Sequence, residues 1–293
     1  MYHIVYGLLY TFSLLPFRVL YFISDLCYVL LYHVFRYRKQ IVLGNIAIAF
    51  PDKTKEEQKK IARKFYQYFA DSFIETIKFI SISKKEMEKR TTGTYDIING
   101  LLEEGKSVNL LCGHQFNWEY ANLLYSSVLP VPFVTVYLPV KAKIFNRIMY
   151  KIRTRFNAIL VHPAEFGSKL HSVFKTQHAL VLAADQSPAN PRAGYWIKFF
   201  NRPTIFLIGP EKSAIRKRSA VVFVGFKRVK RGYYHFESVL LTDDASHTDK
   251  RAQLTCLYRD ALENAIKADP ANYLWSHRRF KFEWAPEYGE IMG

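Results

Sequence analysis

Two hydrophobic rhythms divide the chain. Residues 4–35, IVYGLLYTFSLLPFRVLYFISDLCYVLLYHVF, are nearly continuous in apolar character, and Arg18 and Asp25 are the two formal charges among them. No basic stretch precedes this run and no small-residue cleavage site follows it, which argues against a removed signal peptide. A membrane-crossing helix needs about 20 apolar residues. The run is long enough, but Pro16 and Arg18 interrupt it. Arg18 and Asp25, seven apart, fall on one helical face, where pairing is expected. The pattern fits a spanning or inserted anchor, a pair of amphipathic helices lying on a membrane, or a buried core helix. The cluster RYRKQ at 36–40 follows at once. By the positive-inside bias it predicts an anchor over 1–35 and a cytoplasm-facing domain over 36–293.

Downstream the rhythm changes. Thr54–Lys55–Glu56–Glu57 has the form of a capping box opening a helix to about residue 80, with Ile61, Phe65, Phe69, Phe73 and Ile77 at four-residue steps. Its lysine-rich part, KTKEEQKKIARK, reads as a solvated face. Short apolar runs then recur at 107–112, 132–138, 157–161, 179–185, 220–226 and 233–241. Amphipathic stretches at about 117–126, 141–155, 165–177, 204–217 and 247–268 separate them. Alternation of this kind predicts an α/β fold, a sheet flanked by helices on both faces. The turn in KRVKRGYY adds an antiparallel hairpin and makes the sheet mixed. No repeat or linker divides the region.

Composition narrows the partners. Hydrophobic residues are 49% of the chain and aromatics 16%, enough for a large core with apolar surface left over. Net charge is +17, which calls for an acidic partner: nucleic acid, an anionic membrane, or an acidic protein or substrate. The apolar start favours the membrane. Cys27, Cys112 and Cys256 are far apart and odd in number, so they are read as reduced thiols.

Candidate chemistry centres on GHQFNWEY, residues 113–120. His114 and Glu119 are five apart, about 140° around a helix, and would not meet if both were helical. Gly113 supplies a turn after the 107–112 strand, and Asn117 is a good N-cap. Glu119 then lies in the first helical turn and reaches back to hold the His114 imidazole as a general base. The alternative is a loop histidine near a glutamate that merely favours the helix dipole. Cys112, at the end of an apolar strand, is a poor candidate nucleophile. His171 and His178 are seven apart on a predicted helix and lack a third ligand, so no metal site is expected.

Five segments in order resemble the late, or secondary, acyltransferases of bacterial lipid A biosynthesis, within the histidine-x4-carboxylate acyltransferases. They are RKQIVLGNIAIAFP (38–51), GHQFNWE (113–119), IRTRFNAIL (152–160), LAADQ with the WIKFFN run (182–217) and YLWSHRRFK (273–281). The spacing of Asp185 from the following glycine is wider than the family pattern. The resemblance implies a glycerolipid-acyltransferase-like fold at the bacterial inner membrane. It implies transfer of an acyl chain from acyl carrier protein, or coenzyme A, to a hydroxyl of a lipid A precursor, with no cofactor and no nucleic acid. His114 becomes the base and Glu119 its orienter. Arg153 and Arg155 become phosphate or oxyanion ligands, since a guanidinium suits phosphate. Asp185, ending a strand, orders an arginine or a loop. Arg278 binds phosphate or packs on Trp275 and Phe280. RKR at 216–218 and KRVKR at 227–231 are candidate docks for an acidic carrier protein. Two other readings remain: another glycolipid or aminolipid acceptor, and a non-enzymatic basic protein binding membrane or nucleic acid.

Overall fold

The computed structural model describes residues 1–165, 173–248 and 250–293. Helix α1 (Tyr2–Leu14) ends before Pro16, which has no N–H to extend the ladder, and α2 (Phe17–Val29) starts directly after it and runs into a π-turn, Leu30–Val34. Among the described residues, Phe17–Val34 is the one helix long and apolar enough to cross a membrane, and 17% of it is buried. Helices α3 (Lys39–Ala49) and α4 (Lys55–Lys78) follow. The capping box at Thr54 forms: Thr54 N–H donates to Glu57 Oε2 at 2.8 Å, and Glu57 N–H donates to Thr54 Oγ1 at 3.3 Å. Phe65 and Phe69 of the expected stripe are buried, whereas Phe73 is 57% exposed. A strict four-residue step advances about 40° per step on a helix, so the stripe drifts off the packed face.

Helix α5 (Lys84–Arg90), strand β1 (Thr91–Gly93) and helix α6 (Asp96–Glu103) lead into the alternating region. There β2 (Val108–Cys112), α7 (Trp118–Val128), β3 (Phe133–Val136), α8 (Lys143–Arg153), β4 (Ile159–Val161) and β5 (Ala179–Ala183) succeed one another. A hairpin of β6 (Gly194–Phe199) and β7 (Arg202–Leu207) precedes α9 (Gly209–Lys217). A longer hairpin, β8 (Ala220–Lys230) and β9 (Tyr233–Thr242), precedes α10 (Gln253–Ala268) and the short β10 (Ile291–Met292).

Seven strands form the main sheet in the order β1-β9-β8-β2-β5-β3-β4, and β8–β9 is its antiparallel pair. β2 is central, pairs in parallel with β8 and β5, and is buried along its whole length. That explains its unbroken apolar run, as expected for a parallel strand covered on both faces. Residues of α3, α4 and α10, among them Val42, Phe65 and Leu262, pack in one core; Ile98, Tyr120 and Leu123 of α6 and α7 pack in another. All six apolar runs anticipated from the sequence are strands.

Two expectations fail, and a third lies largely outside the described residues. The stretch 204–217 is not one helix: Thr204–Leu207 belongs to β7, and the helix begins only at Gly209–Pro210. β6, β7 and β10 form a second, three-stranded sheet. Of the expected helix 165–177, residues 166–172 lie outside the described residues, and 173–177 form turn and bends. Arg18 and Asp25 do not pair. Seven residues of helix rise about 10.5 Å, too far for contact, and Asp25 Oδ1 instead accepts from Arg231 Nη2 at 2.7 Å.

Candidate active site

The parallel pairing of β2 and β5 sets the centre. Their carboxyl ends lie side by side, and in α/β sheets this edge is where functional groups gather. One residue past β2, Gly113 turns the chain; a Cβ there would stand 2.4 Å from Leu262 Cδ1. His114 follows it, and Asp185 lies two residues past β5. His114 Nδ1 donates to Asp185 Oδ1 at 2.6 Å, and the His114 backbone N–H donates to Oδ2 at 3.0 Å. Gln186 Nε2 lies 3.2 Å from His114 Nε2, and with the proton on Nδ1 the amide donates to the ring.

The partner of His114 is therefore Asp185, not Glu119 as the spacing of the motif suggested. Glu119 does occupy the first turn of α7, with its N–H donating to the Asn117 side chain at 3.1 Å. Its carboxylate, however, accepts from Arg153 Nε at 3.0 Å and from Arg153 Nη2. Asn122, one turn on, donates to the Arg153 carbonyl at 2.9 Å and fixes the end of α8 against α7. Two pairs result, His114–Asp185 and Arg153–Glu119, and three of their four residues, His114, Arg153 and Glu119, line one cavity.

Electrostatics favour charge in both pairs. Burial opposes ionisation of Asp185, but the His114 charge and its two hydrogen bonds outweigh it and hold the carboxyl at about 2. Burial likewise pushes His114 down, and the Asp185 carboxylate more than offsets this, leaving the imidazole above its ordinary value. Burial lowers Arg153, and Glu119 overrides it. Cys112 is buried and its thiol is pushed well up by that burial, against a nucleophilic role.

The cavity measures about 980 Å³. Its lining combines apolar side chains, among them Leu110, Tyr125, Phe133, Val181, Val224 and Phe226, with the polar Gln186, Lys212, Ser213 and Arg216 and with His114. Such a lining accepts an apolar chain that carries a polar group.

The other expected ligands are not in it. Arg155 is exposed and donates to the Phe79 carbonyl, on the side of Tyr6 and Tyr10 of α1. Arg278 is exposed, whereas its neighbour Arg279 is 1% exposed and donates to Ser187 Oγ at 2.9 Å and to the Ile205 carbonyl at 2.8 Å, bracing the loop after Asp185. Arg279 could not be told from Arg278 by pattern alone. Lys212 and Ser213 were missed because their stretch looked like the interior of a longer helix. The KRVKR cluster is largely engaged: Arg228 and Arg231 pair with Asp71, and Lys227 with Glu237. In RKR, Arg218 pairs with Asp244 and Arg216 lines the cavity. Among the described residues no cluster of three or more His, Cys, Asp or Glu could hold a metal ion. His171 lies outside them, and His178 is buried with Nδ1 at 2.8 Å from the Thr176 carbonyl.

Comparison with curated proteins returns no match. Against protein families, residues 1–282 match the bacterial lipid A biosynthesis acyltransferases. That span takes in both pairs, the whole cavity and all five motif segments. A match over nearly the full length means that the chain belongs to the bacterial lipid A biosynthesis acyltransferase family, and it is an acyltransferase.

Proposed function

We propose that the protein moves a fatty acyl chain from a carrier-protein thioester to a hydroxyl of a lipid A precursor, with His114 as general base. His114 Nε2 takes the proton of the acceptor hydroxyl as its oxygen attacks the thioester carbonyl. An alcohol is a weak nucleophile at neutral pH, so this proton transfer is where a positioned base contributes most. Asp185 holds the proton on Nδ1 and stabilises the imidazolium that forms. Arg153, with Nε and Nη2 held by Glu119, keeps Nη1 for the oxyanion of the tetrahedral intermediate. The intermediate collapses to the ester, and the leaving thiolate recovers the proton from His114. No acyl-enzyme is needed, in keeping with the raised Cys112 thiol.

The observation that carries this reading is the His114–Asp185 pair with His114 lining a cavity of mixed apolar and polar side chains. The apolar side chains suit an acyl chain and the polar ones a sugar or a carrier arm.

We further propose that α1 and α2 lie in the cytoplasmic face of the inner membrane. Ile4, Leu8, Phe22, Leu26, Val34 and Phe35 present apolar side chains outward, while Tyr21, Ser24 and Asp25 bond inward to the domain. A helix tied along its length by polar contacts favours lying over crossing.

Mass spectrometry of lipid A from a strain lacking the protein tests the reaction. One missing acyl chain, restored by the wild type and not by His114→Ala, is the expected result. Unchanged lipid A with a change in another glycolipid or aminolipid would move the acceptor, and full rescue by His114→Ala would end the base assignment.

A further inference from the structure

The helix α9 breaks two local rules at the cavity. Lys212 lies in its first turn, where the helix dipole disfavours positive charge. Arg216 lies four residues on, on the same face, where like charges repel. Both side chains line the cavity, and neither has an ion-pair partner among the described residues. Nearby acids offer no relief. Glu119 is the one acidic residue among the lining residues, and Arg153 engages it. Glu211, next to Lys212, is buried and accepts instead from the backbone of Ala252 and Thr255, at 2.9 and 2.8 Å. Lys212 and Arg216 thus line the cavity as exposed cations without an ion-pair partner, and beside them the Ser213 hydroxyl is buried and has no hydrogen-bond partner among the described residues. Local violations of this kind concentrate at functional sites.

We infer that Lys212 and Arg216, with Ser213, form a phosphate subsite that holds the anionic end of a substrate while its reacting group lies at His114. The inference rests on the acyl-transfer reading for which substrate is held, but not for the binding itself. Two sources supply that chemistry: a phosphate ester on the sugar acceptor, and the phosphodiester of a phosphopantetheine-linked donor. Losing both charge-assisted contacts to phosphate predicts a KM rise of about a hundredfold.

Lys212→Ala/Arg216→Ala tests this in the full-length enzyme in neutral detergent, beside Lys60→Ala, which removes an exposed charge on α4. Transfer is measured with acceptor bearing or lacking phosphate, and with phosphopantetheine thioester or the simple N-acetylcysteamine thioester. A KM rise confined to phosphorylated acceptor identifies the sugar phosphate, and one confined to the phosphopantetheine donor identifies the carrier arm. An unchanged KM throughout, or an equal rise with and without phosphate, overturns the subsite. A second arm needs no transfer: inorganic phosphate at constant ionic strength is expected to raise the Tm of wild type and of Lys60→Ala and to leave that of the double variant. Equal stabilisation of all three also overturns it. A wild type that binds phosphate but transfers no acyl group refutes the reaction and leaves the subsite standing.

Discussion

Two regions of this protein bury pairs of carboxylates, and they differ in what their cations touch. At the cavity, Asp185 holds His114 and Glu119 holds Arg153, and both of these partners line the cavity. Beneath the N-terminal helices, Asp71 and Glu75 of α4 are equally buried. Asp71 accepts from Arg228 Nη2 at 2.6 Å, from Arg231 Nη2 at 2.7 Å and from Ser24 Oγ at 2.6 Å. Glu75 accepts from Tyr21 and Tyr234 hydroxyls at 2.8 and 2.7 Å and from Asn117 Nδ2 at 3.0 Å. None of these groups lines the cavity. Buried charge alone therefore does not mark a catalytic centre. The first region is arranged so that a cation is available to a ligand; the second ties α2, α4 and the β8–β9 hairpin together. Asn117 joins them, since it donates to Glu75 and caps the helix turn that carries Glu119.

The largest expected effect breaks the first region. His114→Ala lowers kcat by about 10²–10⁴-fold, the usual contribution of a general base, with the circular dichroism spectrum of a folded protein and a lower Tm, since the buried Asp185 loses its partner. The matching cut in the second region has the opposite signature. Asp71→Ala leaves Arg228, 7% exposed in its side chain, without its buried partner, a loss of about 3–5 kcal/mol. Thermal and denaturant unfolding are expected to show that loss, while activity per folded molecule changes far less than in His114→Ala. A severe kcat defect in folded Asp71→Ala would show that the two regions are not separable.

Titration sharpens the contrast next. Transfer requires neutral His114, so kcat/KM rises with pH through the imidazole pKa, which lies above its ordinary 6.5. Asp185→Asn removes the attraction and leaves the burial, so the acidic limb moves to lower pH while the plateau falls because the tautomer is no longer held. An acidic limb that stays in place in Asp185→Asn would detach His114 from that limb. Stability has its own window. Asp185 is depressed to about 2 from 3.8, so its contribution is present above pH 4 and lost as pH falls toward 2.

How much of this was legible in the sequence depends on range. The six apolar runs and the Thr54 cap are local patterns, and both survived folding. The Asn117 cap was legible for the same reason. The partner of His114 was not, because it lies 71 residues away and is brought in only by the pairing of β2 with β5. Glu119 was the nearer carboxylate and drew the assignment. One signal did point correctly: Asp185 ends a strand, as His114 follows one. The small sheet was hidden because Thr204–Leu207 is apolar and adjoins a true helix, and periodicity cannot separate such short runs. The N-terminal run was legible as apolar but not as tied down, since the ties run to Asp71 and Glu75 on another helix.

The smallest expected effects come from conservative changes in the tie itself, Glu75→Gln and Tyr21→Phe, beside which Glu75→Ala is the severe control. Burial holds its carboxyl above the ordinary range, so the folded state disfavours the charged form most at high pH, and lowering the pH relieves that penalty. Glu75→Gln removes the charge and can keep every bond. Its carbonyl oxygen takes the place of Oε2 and accepts from Asn117 and Tyr234, and its amide takes the place of Oε1 and donates to the Tyr21 oxygen, which accepts as readily as it donates. Glu75→Gln is thus expected to gain on wild-type stability as pH rises above about 4.5, where the unfolded carboxyl ionises and the buried one resists. Glu75→Ala instead strands three buried donors, at about 1–3 kcal/mol each before relaxation, and releases Asn117 from its hold. Tyr21→Phe removes a single contact and should lose only about 1 kcal/mol. Unfolding free energies across pH, measured for the three variants together, decide the point. A Glu75→Gln protein as unstable as Glu75→Ala would mean that Glu75 acts through its charge, and the second region would then be an ionic centre like the first.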